Sequence, residues 1–236
     1  MKKHLSVMML YVRSILYKFI LLVLVMAVVQ SMFFAIAFRN AEGLYGLDTI
    51  MNNSRLKSVS VISFVILWIL LIYIASDDRG KLEYTLSRLR ISRKMVFIWQ
   101  SIVNGTFLLL FRAVQVSLAL TFCVIYTKHF PQQQAPMLVF YTNKLLHNLL
   151  PLKNILLLVT QIFITLALAV TFAAHSVRIN KKDKTSMSSG VLGFFTYHYI
   201  CGFDTSEIYI LFFLLFAALF ILIHGINSAF EEAEDE

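Results

Sequence analysis

The chain contains apolar runs of about twenty residues, and these runs constrain its fold more than any other feature. Residues 19–38 carry no charged side chain. A helix that rises about 1.5 Å per residue needs roughly 20 residues to cross a hydrocarbon core about 30 Å thick. Hydrophobic residues make up 59% of the 236 positions, and the mean hydropathy of +0.76 is too high for a soluble domain. The sequence therefore predicts an all-α integral membrane protein.

Six segments are apolar enough to be predicted as transmembrane helices. They lie at about 19–38, 59–75, 95–126, 155–174, 190–203 and 208–230, within a membrane domain that covers residues 19–230. The third is predicted as one long helix, because it contains no proline and no glycine-rich turn. Residues 1–18 combine helical apolar spacing with basic side chains, which predicts an amphipathic interfacial helix. The acidic residues 231–236 are expected to form a cytoplasmic tail.

A cleaved signal peptide is the alternative for the N-terminus, because Ala35-Ile36-Ala37 resembles a cleavage site. Arg13 and Lys18 interrupt the early apolar region, however, and the following run is longer than a signal h-region of about 7–15 residues. We therefore expect an uncleaved first span.

The basic residues predict the orientation of the spans. With the N-terminus inside, the inner segments 1–18, 77–94 and 175–189 hold 4, 6 and 4 Lys and Arg residues. The outer loops 39–57 and 128–153 hold 3 each. By the positive-inside rule both termini are cytoplasmic, and the net charge of +8 is explained without a nucleic-acid partner.

The longest charged segment is Asp77 to Lys94, DDRGKLEYTLSRLRISRK, between the second and third predicted spans. Its order is Gly80, Leu82-Glu83, Leu86-Ser87, a short break, then Ser92-Arg93 and a new apolar run. This order resembles the segment between the second and third spans of ABC (ATP-binding-cassette) exporter permeases of the type-2 class. That family commonly shows an acidic residue, Gly-Thr-Leu-Glu, Leu-Leu and Pro-x-Ser-Arg; here Lys81 replaces the Thr, and Leu89-Arg90 replaces the usual Leu-Pro.

The resemblance implies that residues 80–94 contain a cytoplasmic coupling helix that lies in a groove of a separate ATPase. Its apolar stripe would fill the groove, charges would fix its register, and a turn near residue 178 would make a second, smaller contact. The residues implied in coupling are Leu82, Glu83, Leu86, Arg88, Leu89, Arg90 and Arg178. The implied assembly contains two ATPase subunits and a second permease, either another copy of this chain or a sibling. For Arg178 to Lys184, positive-inside charge alone is the simpler explanation.

No catalytic motif is visible in the sequence. A P-loop, H-E-x-x-H and G-x-S-x-G are all absent, and the predicted span cores carry no Asp or Glu. We therefore expect no enzyme activity and no cofactor bound by this chain, with ATP and Mg held by the partner ATPase. Cys123 and Cys201 have no metal-ligand spacing, and we expect free thiols, although a bridge between them remains open.

Arg112 is the one ionisable residue deep in a predicted span. A charge at that depth costs several kcal/mol, so the side chain should face a partner helix or a polar cavity. One interpretation is that Asn104, Arg112 and Gln115 line a substrate path. The other is that Arg112 is structural and either snorkels or bonds to a backbone carbonyl at a subunit interface.

The leading hypothesis is the permease subunit of an exporter in a bacterial plasma membrane. Its cargo would be lipophilic or amphipathic, such as a peptide antibiotic, a drug or a lipid. Two alternatives stay open. One is the six-span substrate-binding component of an importer, which predicts tight ligand binding by the isolated chain. The other is a membrane sensor or assembly factor that contacts no ATPase.

Overall fold

The computed structural model describes residues 2–40, 46–74, 93–130, 143–151, 154–179 and 208–231, and these are almost entirely helical. The helices are α1 (Lys2–Arg39), α2 (Leu47–Asn53), α3 (Leu56–Ile69), α4 (Arg93–His129), α5 (Lys144–Leu149), α6 (Ile155–Ile179) and α7 (Ile208–Glu231). A π-helical turn, Leu70–Ile74, continues α3. The predicted all-α class is confirmed for this part of the chain.

Among the described residues, four helices are long and apolar enough to cross a membrane. Their apolar stretches are Tyr11–Arg39, Lys94–His129, Ile155–Ala174 and Tyr209–Asn227. The predicted span at 59–75 falls in α3, which forms with α2 a pair bent by 47° that could count as a fifth span. The predicted span at 190–203 lies outside the described residues. The predicted count of six is therefore not confirmed.

The N-terminal segment is continuous with the first predicted span. Helix α1 runs from Lys2 to Arg39 without a break at residue 18, where the interfacial helix was expected to meet the membrane domain. The third predicted span agrees with α4, which is a single helix of 37 residues. Without a proline or a turn signal, nothing in this apolar stretch interrupts the backbone hydrogen bonds.

Most of the interior is a single apolar cluster, the main core, to which α1, α3, α4, α6 and α7 contribute. Phe19 of α1 packs on Phe107 of α4 with ring centroids 4.8 Å apart. A smaller cluster, the end core, lies where α1 ends, and includes Phe34 of α1, stacked on Phe122 of α4 at 4.3 Å. Residue numbers rise along both helices from the first ring pair to the second, by the same number of residues in each helix. Helices α1 and α4 are therefore parallel.

The other two directions follow from further contacts. Helix α3 enters the end core with Leu56 and reaches the main core with Phe64, so it runs opposite to α1 and α4. Helix α6 is antiparallel to α4, because Asn104 contacts Ala169 whereas Arg112 contacts Gln161. The start of α1, the end of α3, the start of α4 and the end of α6 therefore share one end of the bundle.

Two stretches that the sequence predicts as outer loops contain short helices at the opposite end of the bundle. Helix α2 lies within 39–57 and buries Leu47, Ile50 and Met51, whose spacing places them on one face. Its break from α3 occurs at Arg55, whose φ of 50° is in the left-handed region. Helix α5 lies within 128–153 and is partly buried.

Candidate functional site

The predicted coupling residues fall almost entirely outside the described part of the chain. Those in the 80–94 segment are Leu82, Glu83, Leu86, Arg88, Leu89 and Arg90. Arg178 belongs to the last turn of α6, and the position of its side chain is not described. Their role in coupling stays a prediction.

The three predicted path residues, Asn104, Arg112 and Gln115, all lie on α4. Asn104 and Gln115 are buried, and Asn104 donates from Nδ2 to the carbonyl oxygen of Ala169 on α6 at 3.4 Å. Within the described structure, Asn104 Oδ1 and Gln115 Nε2 are buried without a hydrogen-bond partner. The helix thus presents three polar side chains toward the bundle, and their contacts differ: Asn104 contacts a backbone carbonyl of α6, and the amide nitrogen of Gln115 has no partner in the described structure.

Arg112 has the most extensive contacts of the three. Its Nε donates to the carbonyl oxygen of Leu149 at 3.2 Å, and Nη1 donates to Oε1 of Gln161 at 2.8 Å. Its Nη2 donates to the carbonyl oxygens of Asn148 and, at 3.1 Å, Leu149. All three guanidinium nitrogens are therefore used to hold α5 and α6 against the middle of α4.

The acceptors are available because α5 ends there. The last carbonyl groups of a helix have no partner within the helix, and together they carry a partial negative charge. Leu150 stands before Pro151, and a residue before proline is disfavoured in the helical conformation, so the helix stops at Leu149. The Arg112 guanidinium caps this C-terminus, which is the carbonyl contact that the sequence left open, although here it lies within one chain.

Gln161 links the Arg112 guanidinium to the side chain of Asn148. Its Oε1 accepts from Arg112, and its Nε2 donates to Oδ1 of Asn148 at 2.6 Å. Both amide side chains are 4% exposed. Buried amide groups need partners, because an unpaired one costs about 1–3 kcal/mol. Arg112, Asn148, Leu149 and Gln161 therefore form a connected polar group, which we call the arginine cluster.

The other end of α5 is fixed by Asn143. Its Oδ1 accepts from the backbone N–H of Leu146 at 3.4 Å, as an N-cap side chain does. Its Nδ2 donates to Asp48 Oδ1 at 2.7 Å and to Asn52 Oδ1 at 3.2 Å. Helix α5 is thus tied to α2 at its start and to α4 and α6 at its end.

The arrangement suits the positioning of a segment rather than acid–base or metal chemistry. The arginine cluster contains a permanent cation, two amides and backbone carbonyls, and arginine does not give up its proton in proteins. No group of three or more His, Cys, Asp or Glu side chains that could hold a metal occurs among the described residues. Cys123 is a buried free thiol on α4, whereas Cys201 lies outside the description.

The sequence pointed to Arg112 but missed Asn143, Asn148 and Gln161. Two local signals were present. Asn143 stands immediately before a short run with apolar residues and can act as an N-cap, and Pro151 marks an end shortly afterwards. Gln161 had a weaker signal, since it is a polar residue in an apolar span that must find a partner.

Comparisons with known proteins identify no relative. No family model, no curated protein and no solved structure matches this chain.

Proposed function

We propose that this chain is the membrane-spanning permease subunit of an ATP-driven exporter of the type-2 class. A separate ATPase, present in two copies, supplies the energy, and a second copy of this chain or a sibling completes the path. The cargo class that fits is lipophilic or amphipathic, because the described helices offer apolar surfaces and few charged groups.

The observation that carries the proposal is the position of the two described helix ends between which the basic segment connects. Residues 75–92 connect the end of α3 to the start of α4, at the same end as the start of α1 and the end of α6. The described helix ends that adjoin the basic segments 77–94 and 175–189 therefore lie at the same end of the bundle as the basic start of α1, an arrangement that supports the prediction from the positive-inside rule. A coupling helix must lie on that side to contact a cytoplasmic ATPase.

The test is co-purification of the native complex in detergent, with ATPase activity as the second readout. We expect the wild type to bring down a P-loop ATPase, and Leu86→Glu to lose it or uncouple its activity. Ser87→Glu is the matched control, because it adds the same charge one residue away from the apolar stripe of Leu82, Leu86 and Leu89. If the wild type brings down no ATPase, the proposal fails; if both variants behave alike, the stripe is not a groove contact.

A further inference from the structure

A cavity of about 290 Å³ opens beside the break between α2 and α3, and the proposed function makes no use of it. We call it the α1–α2 cavity. Its apolar lining comes from the last turns of α1, through Phe33, Ile36 and Ala37, and from Ile50 of α2. Phe33 and Ile36 are exposed to the surroundings of the bundle. The cavity is therefore open to an apolar ligand that approaches along α1.

The remaining described lining of the cavity is polar and carries positive charge. It consists of Asn40, Asn53 and Arg55. Arg55 has an exposed side chain and is held at the start of α3 by its left-handed backbone conformation. No carboxylate is among the described residues that line the cavity. The positive charge of Arg55 therefore favours an anionic group at the polar side of the cavity.

The cavity also lies at the level where apolar and polar parts of the chain meet. The apolar run of α1 ends directly before Arg39, and the next apolar run begins after Lys57. Basic residues at the ends of spans mark the boundary between the hydrocarbon and the lipid headgroups. A ligand with an apolar tail and an anionic head would therefore meet matching chemistry on both sides of this boundary.

We propose that the α1–α2 cavity binds one anionic phospholipid of the bilayer. Part of an acyl chain lies on Phe33, Ile36 and Ala37, and the phosphate accepts hydrogen bonds from Arg55, whose planar guanidinium suits bidentate contact with phosphate. The volume of about 290 Å³ is just below the range for ligand pockets, about 300–1,000 Å³, so the cavity holds part of one acyl chain rather than a whole lipid. This site is independent of the segment expected to contact an ATPase.

The test is a titration of the delipidated full chain in detergent, followed by native mass spectrometry. The probes are phosphatidylglycerol, which is anionic, and phosphatidylethanolamine, which carries an additional ammonium group. We expect one tightly bound phosphatidylglycerol and weaker binding of phosphatidylethanolamine. Arg55→Gln should weaken phosphatidylglycerol binding about tenfold, so that the affinities for the two lipids become similar. Lys128→Gln removes the same charge from an exposed position at the same end of the bundle and should leave the preference unchanged.

Two further measurements distinguish the binding of a lipid from simpler explanations. Ala37→Leu keeps all charges but fills the apolar side, so it should reduce phosphatidylglycerol occupancy. Inorganic phosphate at millimolar concentration should not displace the lipid; displacement would show a general anion site and overturn the proposal. Equal binding of both lipids to the wild type, or an unchanged preference in a folded Arg55→Gln variant, would overturn it as well. Circular dichroism of each variant checks that it is folded.

Discussion

Phe111 and Arg112 are neighbours on α4, yet they face two different kinds of contact. Phe111 is fully buried in the main core, with its ring 5.9 Å from that of Phe64 on α3. Arg112 instead holds the end of α5 and Gln161 of α6. Successive helical residues point about 100° apart, so one helix serves both regions. The main core joins the long helices by close packing of apolar side chains. The arginine cluster instead holds one short helix, α5, in place by directed hydrogen bonds.

The difference matters because lipid is as apolar as the main core. Apolar side chains gain little from leaving lipid for the protein interior, so the main core depends on close packing. Hydrogen bonds are directional, and an unpaired carbonyl in an apolar environment is costly. We infer that packing sets how the long helices associate, and that the arginine cluster and Asn143 set where α5 lies.

The largest effect should come from breaking the packing. Phe111→Ala should lower the free energy of unfolding by about 3 kcal/mol, because the neighbouring helices close only part of the space it leaves. Phe213→Ala is the matched control, since the Phe213 ring on α7 is 66% exposed, and it should change stability by less than about 0.5 kcal/mol. Thermal unfolding in detergent measures both. Equal losses would mean that the main core is not the packed interior described here.

Removal of the guanidinium is expected to have the next largest effect. Arg112→Leu leaves the carbonyl groups of Asn148 and Leu149 without their donor, and we expect a loss of about 2 kcal/mol in the free energy of unfolding. Hydrogen exchange at the α5 amides should rise at the same time. This second readout distinguishes the release of α5 from a general loss of stability.

Arg112→Lys tests whether the positive charge alone or the planar guanidinium holds α5 in place. Lysine keeps the positive charge but lacks the planar fork that reaches Gln161 and the α5 carbonyls together. We expect a stability between those of the wild type and Arg112→Leu, with partly increased exchange in α5. If Arg112→Lys matches the wild type in both measurements, charge alone holds the segment, and the fork geometry is not needed.

Substitution of Asn143 tests the other end of α5. Asn143→Ala removes the N-cap and the contacts with Asp48 and Asn52, at a cost of about 1–2 kcal/mol. Asn143→Asp keeps the N-cap acceptor but places a carboxylate beside Asp48. If the tie to α2 dominates, Asn143→Asp is the less stable of the two in thermal unfolding; if the N-cap dominates, it is the more stable.

The two regions also differ in how far the sequence alone predicts them. The extent of α4 could be predicted because apolar composition and the absence of a proline act locally along one helix. The spacing of Leu47, Ile50 and Met51 likewise indicates one apolar face, although the sequence analysis predicted residues 39–57 only as an outer loop. The start of α5 at Asn143 and its stop before Pro151 were readable in the same way.

The position of α5 was not predictable from local signals. The sequence indicated that Arg112 needs a partner and left a backbone carbonyl among the alternatives. Which carbonyl it contacts depends on Asn148, Leu149 and Gln161, which lie 36 to 49 residues away along the chain. The packing of α6 against α4, together with the contacts that hold α5 to α2, α4 and α6, brings them together. Propensity and periodicity act over a few turns, so contacts of this kind depend on the tertiary fold.

The smallest effect should come from a hydrogen bond inside the packed region. Gln30 on α1 donates from Nε2 to Oγ of Ser60 on α3 at 3.0 Å, and both side chains are buried. This bond joins helices that already pack closely, and interhelical hydrogen bonds of this type in membranes contribute about 0.6 kcal/mol on average. A double-mutant cycle with Gln30→Leu and Ser60→Ala should give a coupling energy of that size. A coupling energy as large as the loss from Arg112→Leu would contradict the division proposed here, because directed hydrogen bonds would then determine the association of the long helices as well as the position of α5.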